Sequence, residues 1–246
     1  MTSALTLPFD RPRPPAVEGI ELLLGPVELA LERQLALVLD EGIPAELVHA
    51  DPPWSTYERG SAHIKPQNLY PTLTNEEIAS HLVTAGKRAP TGARLVLWHC
   101  WPLLVEVIAD PAHALRDLSP WRWKTGGAWG KVDHQGVGYH WLGRSEPVLV
   151  LVKPGGSPRS NRQADLGNLH LSRPSGHSTK PQDWLEAMLR RWTEPGDLVL
   201  DLYAGLGSMA RAARRTGRRY VGAELDPYRH EAALCRLAQV GSSPDG

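Results

Sequence analysis

The stretch Asp197-Leu198-Val199-Leu200-Asp201-Leu202-Tyr203-Ala204-Gly205-Leu206-Gly207-Ser208-Met209 decides the fold. Its first half is a short apolar run ending in a carboxylate. Its second half is a Gly-x-Gly turn that opens into helix-forming residues. Gly205 and Gly207 allow positive φ and close approach of a ligand to the backbone. A helix starting at Ser208 presents free N–H groups at its first turn. The spacing predicts a strand over 198–202 and a helix over 208–216, ended by Gly217. A further strand over 219–223 runs into Glu224, a carboxylate placed for ribose hydroxyls. A Gly-x-Gly turn also occurs in dinucleotide-binding proteins. Those carry a third Gly about three residues later, where this chain has Ala210.

Upstream of this unit, residues 181–192 repeat apolar side chains at helical spacing: Trp184, Leu185, Met188, Leu189 and Trp192. Pro181 suits the first turn of that helix. Residues 27–40 read as an amphipathic helix. Residues 46–50, 94–99 and 147–152 read as strands. Thr74, three residues before Glu77, reads as a capping box that opens a helix to about Lys87. A last helix covers 227–239. Strands alternating with helices imply an α/β fold with a mostly parallel sheet. Residues 1–26 are Pro-rich and read as an extended N-terminal arm. Residues 27–241 read as a single domain. Segments 55–72, 111–145 and 154–178 lack periodicity and read as insertions, the last as a mobile loop.

Length and composition narrow the class. A chain of 246 residues with 41% hydrophobic residues suits one large globular domain. No apolar run approaches the roughly 20 residues that span a membrane, and the first 15 residues lack a secretory pattern. Cys100 and Cys235 are the only cysteines, which gives no disulfide framework and no zinc cluster. No metal site is expected, and the usage suits a reducing cytoplasm. Net charge is zero, yet residues 112–181 hold ten Lys/Arg against four Asp/Glu, a local +6. A cationic segment of this kind suits a phosphate backbone. Trp121, Trp123, Trp129 and Trp141 lie within it, so stacking surfaces and cations are interleaved. Buried core is the competing role for each of these rings.

Asp51-Pro52-Pro53-Trp54 follows the apolar run Leu47-Val48-His49-Ala50. The prolines stop the strand, because neither donates a ladder hydrogen bond. The chemistry suited to these four residues is transfer to an aromatic amine. The lone pair of such an amine is delocalised into its ring, so acceptors for the NH₂ hydrogens are needed to localise it. Asp51 supplies one acceptor and the Pro52 carbonyl another, on a backbone that Pro52 and Pro53 stiffen. Trp54 offers a flat face for a base. A base within a duplex has to leave the stack first. In isolation Asp-Pro-Pro-Trp reads as an ordinary turn; the strand before it and the Gly turn downstream favour a site.

These motifs resemble the S-adenosylmethionine-dependent amino-methyltransferases of nucleic acids, whose base-binding motif is (Asp/Asn/Ser)-Pro-Pro-(Tyr/Phe/Trp). With Asp at the first place the motif is similar to the adenine-N6 type. The order, catalytic motif first and cofactor motif last, resembles the β-class permutation of DNA methyltransferases. The Trp variant, with Tyr70-Pro71-Thr72 and Glu76-Glu77-Ile78 after it, is similar to the family that includes messenger-RNA adenine methyltransferases. Trp123-Lys124-Thr125, the stretch from Gly138-Tyr139 to Glu146, and His177-Ser178-Thr179-Lys180-Pro181 also match, and the likeness covers about residues 45–240. The resemblance implies a seven-stranded Rossmann-like sheet with helices on both faces, and S-adenosylmethionine as methyl donor. It implies cofactor contacts from Asp201, Tyr203, Gly205, Gly207, Ser208 and Glu224, from the pre-helix residues His177, Ser178 and Lys180, and from Asp51. It implies that Asp51, Pro52, Pro53 and Trp54 take the adenine. Tyr203-Ala204 departs from the usual Pro-Phe or Phe before the first Gly, and Leu206 stands where Ser is frequent.

The expected activity is adenine-N6 methylation of DNA at a flipped base, with a possible homodimer and no membrane partner. Lys124, Lys131, Arg144, Arg159 and Arg162 are the expected nucleic-acid contacts. Cytosine-N4 methylation, RNA as substrate, and an inactive nucleic-acid-binding subunit are the alternatives. Asp51 argues against the cytosine reading, and an intact Asp51 with Gly205 and Gly207 argues against the inactive one.

Overall fold

The computed structural model describes residues 18–54, 71–134, 142–156, 160, 165–176 and 179–240. The N-terminal part of the arm, residues 55–70, Trp141, Arg159, Arg162, His177 and Ser178 lie outside the described residues. In chain order the elements are β1 (Ile20–Leu24), α1 (Val27–Glu41), β2 (Ala45–Ala50), α2 (Asn75–Arg88), β3 (Arg94–Trp98), α3 (Trp101–Ala109) and β4 (Arg122–Lys131). They continue with β5 (Ser145–Val152), β6 (Leu169–Ser172), α4 (Gln182–Trp192), β7 (Leu198–Asp201), α5 (Ser208–Arg215), β8 (Arg219–Glu224) and α6 (Pro227–Ala238).

The strands form one sheet in the order β1-β8-β7-β2-β3-β5-β4-β6. β5 is antiparallel to both β3 and β4, and every other pairing is parallel. The expected α/β architecture is present, with eight strands among the described residues where the resemblance implied seven. Three strands escaped the reading of periodicity. β1 lies within the segment assigned to the extended arm and pairs with β8 at the sheet edge. β4 and β6 lie within two of the three segments read as insertions, 111–145 and 154–178. β4 lacks alternation because Gly126 and Gly127 meet neighbouring backbone. A Cβ on Gly127 would sit 2.4 Å from the Asn168 carbonyl oxygen, and one on Gly126 would sit 3.1 Å from that of Val148.

Buried side chains of β3 alternate between the two faces, as a strand covered on both sides requires. Leu95 and Leu97 pack with Leu31, Ile78 and Leu82 beneath α1 and α2. Val96 and Trp98 pack with Trp184, Met188, Met209 and Leu237 beneath α4, α5 and α6. The capping box of α2 forms: Thr74 Oγ1 accepts from the Glu77 N–H at 3.2 Å, and Glu77 accepts from the Thr74 N–H at 2.8 Å. No helix among the described residues is long and apolar enough to cross a membrane.

Two cations serve helix ends rather than ligands. Lys153 Nζ donates to the carbonyls of Gly86 and Ala89 at 2.9 and 2.6 Å, closing the C-terminus of α2. Buried Arg218 donates to the Thr193 carbonyl at 2.6 Å and to Thr193 Oγ1 at 3.0 Å just beyond α4, and also to the Thr216 carbonyl. Removing the guanidinium leaves these acceptors without a donor. Arg218→Ala is expected to cost about 2 kcal/mol and to lower Tm by roughly 5 °C in thermal unfolding. An unchanged Tm would show that water replaces the guanidinium at no cost.

The topology fixes where a ligand can enter. From β7 the chain moves through α5 to β8 on one side, and from β2 through α2 to β3 on the other. The β7/β2 boundary is therefore the switch point, where the loops beyond the strand ends part and leave a crevice.

Candidate active site at the sheet switch point

Asp51 is the first residue after β2, and Glu224 is the last of β8; the Gly turn follows β7 between them. Adjacent strands lie about 4.8 Å apart, so this ordering gathers all three within roughly 10 Å across the sheet. Pro52 and Pro53 end the strand as expected. The Trp54 N–H donates to the Pro52 carbonyl at 2.9 Å, and the Leu73 N–H donates to the Pro53 carbonyl at 3.1 Å. The Pro52 oxygen thus has one lone pair engaged and a second available.

A charged network centres on Lys180. Its Nζ donates to Asp51 Oδ2 at 2.8 Å and to Glu146 Oε2 at 2.9 Å, and it lies 4.8 Å from the centroid of the Trp98 ring. Lys131 Nζ reaches the other Glu146 oxygen at 2.5 Å. Burial alone would lower the Lys180 pKa, but Asp51 and Glu146 outweigh it and hold the ammonium well above the ordinary lysine value. Burial alone would raise the Glu146 pKa, and Lys180 with Lys131 outweighs it, holding the carboxyl below its usual range. The four side chains form one connected network. The Lys180 N–H also donates to Ser208 Oγ at 3.3 Å, joining the pre-helix segment to the start of α5.

The Gly turn is built by backbone geometry. Gly205 and Gly207 have φ of +54° and +74°. The Gly205 N–H donates to Glu224 Oε2 at 2.8 Å, and the Asp226 N–H donates to Oε1 at 2.9 Å. Burial raises the Glu224 pKa against the opposing pull of these two N–H groups. An added Cβ on Gly205 would meet no heavy atom within 4 Å, whereas one on Gly207 would lie 2.9 Å from the Ala233 Cβ. Gly205 therefore faces open space and Gly207 faces α6.

Several expected contacts are placed differently. Asp201 is fully buried; His49 Nδ1 lies 2.8 Å from Oδ1 and the Tyr220 hydroxyl donates to Oδ2 at 3.0 Å. Both oxygens bind protein, so Asp201 lies beneath the crevice instead of lining it. The Tyr203 hydroxyl turns toward α2 and pairs with His81 Nδ1 at 2.9 Å. Burial, reinforced by the charges of Glu28 and Glu77, raises its pKa well above the ordinary tyrosine value. Trp54 is only 3% exposed, and its ring lies 4.3 Å from that of His99, so in this state its stacking surface is covered. Burial lowers the His99 pKa to about 4 and keeps the ring neutral, against the opposing effect of its hydrogen bond to the Cys100 backbone. Lys131, expected on nucleic acid, is held by Glu146 and lies 5.0 Å from the Trp129 ring centroid. Lys124 and Arg144 are exposed.

Sequence reading did not single out Glu146, Trp98 or His99 as site residues. Glu146 was visible only as the end of a matching stretch. It reaches the site because β5 runs back along β3, a pairing with no local signal. Trp98 and His99 close a strand whose end carries no motif of its own.

Residues 139–234 match the family described as DNA methylase. The chain is 43% identical over 105 residues to YubD of Escherichia coli (strain K12), covering 42% of this chain and 44% of that protein. It is 32% identical over 105 residues to the type II methyltransferase M.XycI of Xanthomonas campestris pv. cyanopsidis, covering 43% of this chain and 33% of that one. The chain thus matches less than half the length of these curated relatives. Among solved structures, the M1.HpyAVI complex with S-adenosylmethionine superposes with a TM-score of 0.65 at 16% identity, over 89% of this chain and 98% of that one. PvuII DNA methyltransferase, cytosine-N4-specific, superposes with a TM-score of 0.58 at 16% identity, over 95% and 91% of the two chains. The fold is the Rossmann-like fold of S-adenosylmethionine-dependent DNA methyltransferases. Part of the chain is thus similar in sequence to these methyltransferases, and the chain shares the fold of the solved ones.

Proposed function

We propose that the chain is a DNA methyltransferase that uses S-adenosylmethionine to methylate the exocyclic amine of a flipped base, adenine N6 in preference to cytosine N4. The observation that carries this reading is the meeting of Asp51 with the Gly205–Gly207 turn and Glu224 at the switch point. The residues present fit the cofactor. Gly205 leaves open space at the turn, and the Glu224 carboxylate lies against that turn with lone pairs remaining for ribose hydroxyls. Gly205, Gly207, Ser208 and Glu224 would hold the cofactor, which supplies a methyl group on a sulfonium.

The chain's own residues prepare the amine. Lys180 holds Asp51 Oδ2, which leaves Oδ1 to accept one N–H of the target. The second lone pair of the Pro52 carbonyl accepts the other. With both hydrogens held, the nitrogen lone pair is directed out of the ring system toward the methyl group that the bound cofactor would supply. As the N–C bond formed, the S–C bond would break with its electron pair left on sulfur, and the extra proton would leave the nitrogen through Asp51 Oδ1 to water. Lys124 and Arg144, exposed on and beside β4 and β5, are the described cations proposed to meet phosphates. Asp at position 51 supports adenine over cytosine.

Transfer of labelled methyl from S-adenosylmethionine to mixed-sequence duplex DNA, followed by nucleoside mass spectrometry, tests the reading. N6-methyladenine is the expected product. N4-methylcytosine would overturn the base assignment, and a product on RNA alone would overturn the substrate.

The two glycines give a separate test of the cofactor turn. Gly205→Ala adds a methyl group into open space at left-handed φ, costing about 1 kcal/mol of stability. It is expected to weaken cofactor binding at least tenfold by calorimetry with little change in Tm. Gly207→Ala adds a clash with Ala233 to the same strain and is expected to lower Tm by several degrees more. Equal cofactor affinity in wild type and Gly205→Ala would place the cofactor elsewhere.

A further inference from the structure

A buried polar chain crosses three strands directly beneath both halves of the site. His49 lies on β2 two residues before Asp51, Asp201 ends β7, and Tyr220 lies on β8 four residues before Glu224. In register, His49 faces Asp201 and Asp201 faces Gly222. The Tyr220 ring runs along its own strand and crosses over Gly222: a Cβ there would lie 2.2 Å from the phenol oxygen. Gly222 is therefore the vacancy through which the hydroxyl reaches Asp201. Asp201 and Tyr220 are 0% exposed and His49 is 3% exposed. The carboxylate has no lysine or arginine contact among the described hydrogen bonds and ion pairs. His49 Nδ1–H and the Tyr220 hydroxyl are its two donors. Burial, together with the Asp201 charge, keeps the phenol protonated and able to donate.

Such a chain is costly, because apolar side chains of similar volume would pack without removing a carboxylate from water. Its position supplies a reason. The β2/β7 ladder is irregular between Ala45 and Leu47, and this parallel pair is the seam at which the strand order reverses. Apolar packing tolerates small sliding along such a seam, whereas hydrogen bonds of 2.8 and 3.0 Å do not. The His49 carbonyl adds a backbone tie by accepting from the Leu202 N–H at 3.0 Å.

We infer that His49, Asp201 and Tyr220 act as positioning residues that lock the amine-binding end of β2 to the Gly turn after β7. The inference rests on the methyltransferase reading for its effect on turnover, and on the seam alone for its effect on backbone order. It assigns Asp201 a role in alignment, away from cofactor contact.

The test compares full-length wild type with Tyr220→Phe, Asp201→Asn and a control, Leu115→Ala, which opens a cavity on the other face of the sheet. Assays are run well below each Tm. Tyr220→Phe and Asp201→Asn are expected to lower kcat about tenfold, with cofactor Kd and KM for DNA within about twofold. Leu115→Ala is expected to lose at least as much Tm and keep kcat. Amide hydrogen exchange gives a readout independent of activity: exchange at His49, Ala50, Asp51 and Trp54 is expected to quicken in Tyr220→Phe and to stay slow in the control. Unchanged kcat and exchange in both polar variants, or equal changes in Leu115→Ala, would overturn the inference. If wild type transfers no methyl group, the methyltransferase reading fails and the exchange data still decide whether the lock exists.

Discussion

Asp51→Ala should reduce methyl transfer on the order of 10³-fold while cofactor affinity stays within about threefold. The asymmetry follows from what each atom holds. In the proposed mechanism Asp51 is the side-chain acceptor for the amine at the end of β2, and Lys180 fixes one of its oxygens at 2.8 Å. The Gly205 turn and Glu224 form their own hydrogen bonds without it. Loss of the carboxylate removes an acceptor whose value is greatest as the amine develops positive charge, so kcat falls more than binding. The fold should persist, because Asp51 is partly exposed and Lys180 keeps Glu146. The measurement is single-turnover transfer to duplex DNA beside calorimetric titration with the cofactor. Transfer within tenfold of wild type would remove Asp51 from the chemistry; a parallel collapse of cofactor affinity would make it a cofactor ligand.

The elements that define this site were legible where local sequence carries the information. The unit from Leu198 to Glu224 reads correctly because strand, Gly turn and helix each have a short-range signature, and the observed boundaries fall within two residues of the expected ones. The capping box at Thr74 and Glu77 is equally local. Strand β4 was hidden because its glycines answer to the Asn168 and Val148 backbone and leave no alternating pattern. Helix α3 was hidden for a different reason. Its sequence Trp101-Pro-Leu-Leu-Val-Glu-Val-Ile-Ala109 is apolar nearly all round, with Val105 and Ile108 exposed, so no polar face marks its period. The site divides the same way. Asp51, Ser208, Glu224 and Lys180 sit at ends of elements that periodicity locates. The partners of Asp201 were not legible, because a carboxylate at a strand end reads identically whether it faces a crevice or a buried histidine and tyrosine. Glu146 depends on the antiparallel return of β5, which no local motif announces.

Lys180→Met should have the second large effect, and it should alter a pH dependence. In wild type the Glu146 pKa is depressed below its ordinary 4.5. Its contribution to stability is therefore full above that value and is lost as pH falls through the lower native pKa. Lys180 is raised above its ordinary 10.5, so its contribution is full below that value and is lost as pH rises through the native pKa. Between these limits the network holds. Methionine keeps the length and the contact with Trp98 but removes the cation, leaving Asp51 and Glu146 with only Lys131 between them and solvent. Breaking a largely buried pair costs about 3 kcal/mol, or roughly 8 °C in Tm at neutral pH. Burial then pushes the Glu146 pKa upward, so protonation relieves the folded state, and the variant's stability relative to wild type should rise as pH falls through that raised value. Wild type has no such gain, and it weakens as pH falls below about 6.5, because buried His99, whose pKa is lowered to about 4, resists the protonation that the unfolded chain accepts. Turnover should fall about 10²-fold, because Asp51 Oδ2 is no longer fixed. Lys180→Arg should restore little of it, since a planar guanidinium does not fit the site of a point charge held between two carboxylates. Thermal unfolding of the three proteins across pH 4 to 8, with transfer rates at pH 7.5, decides the matter. A variant that keeps wild-type turnover, or one whose Tm falls in parallel with wild type on acidification, would remove Lys180 from the control of Asp51.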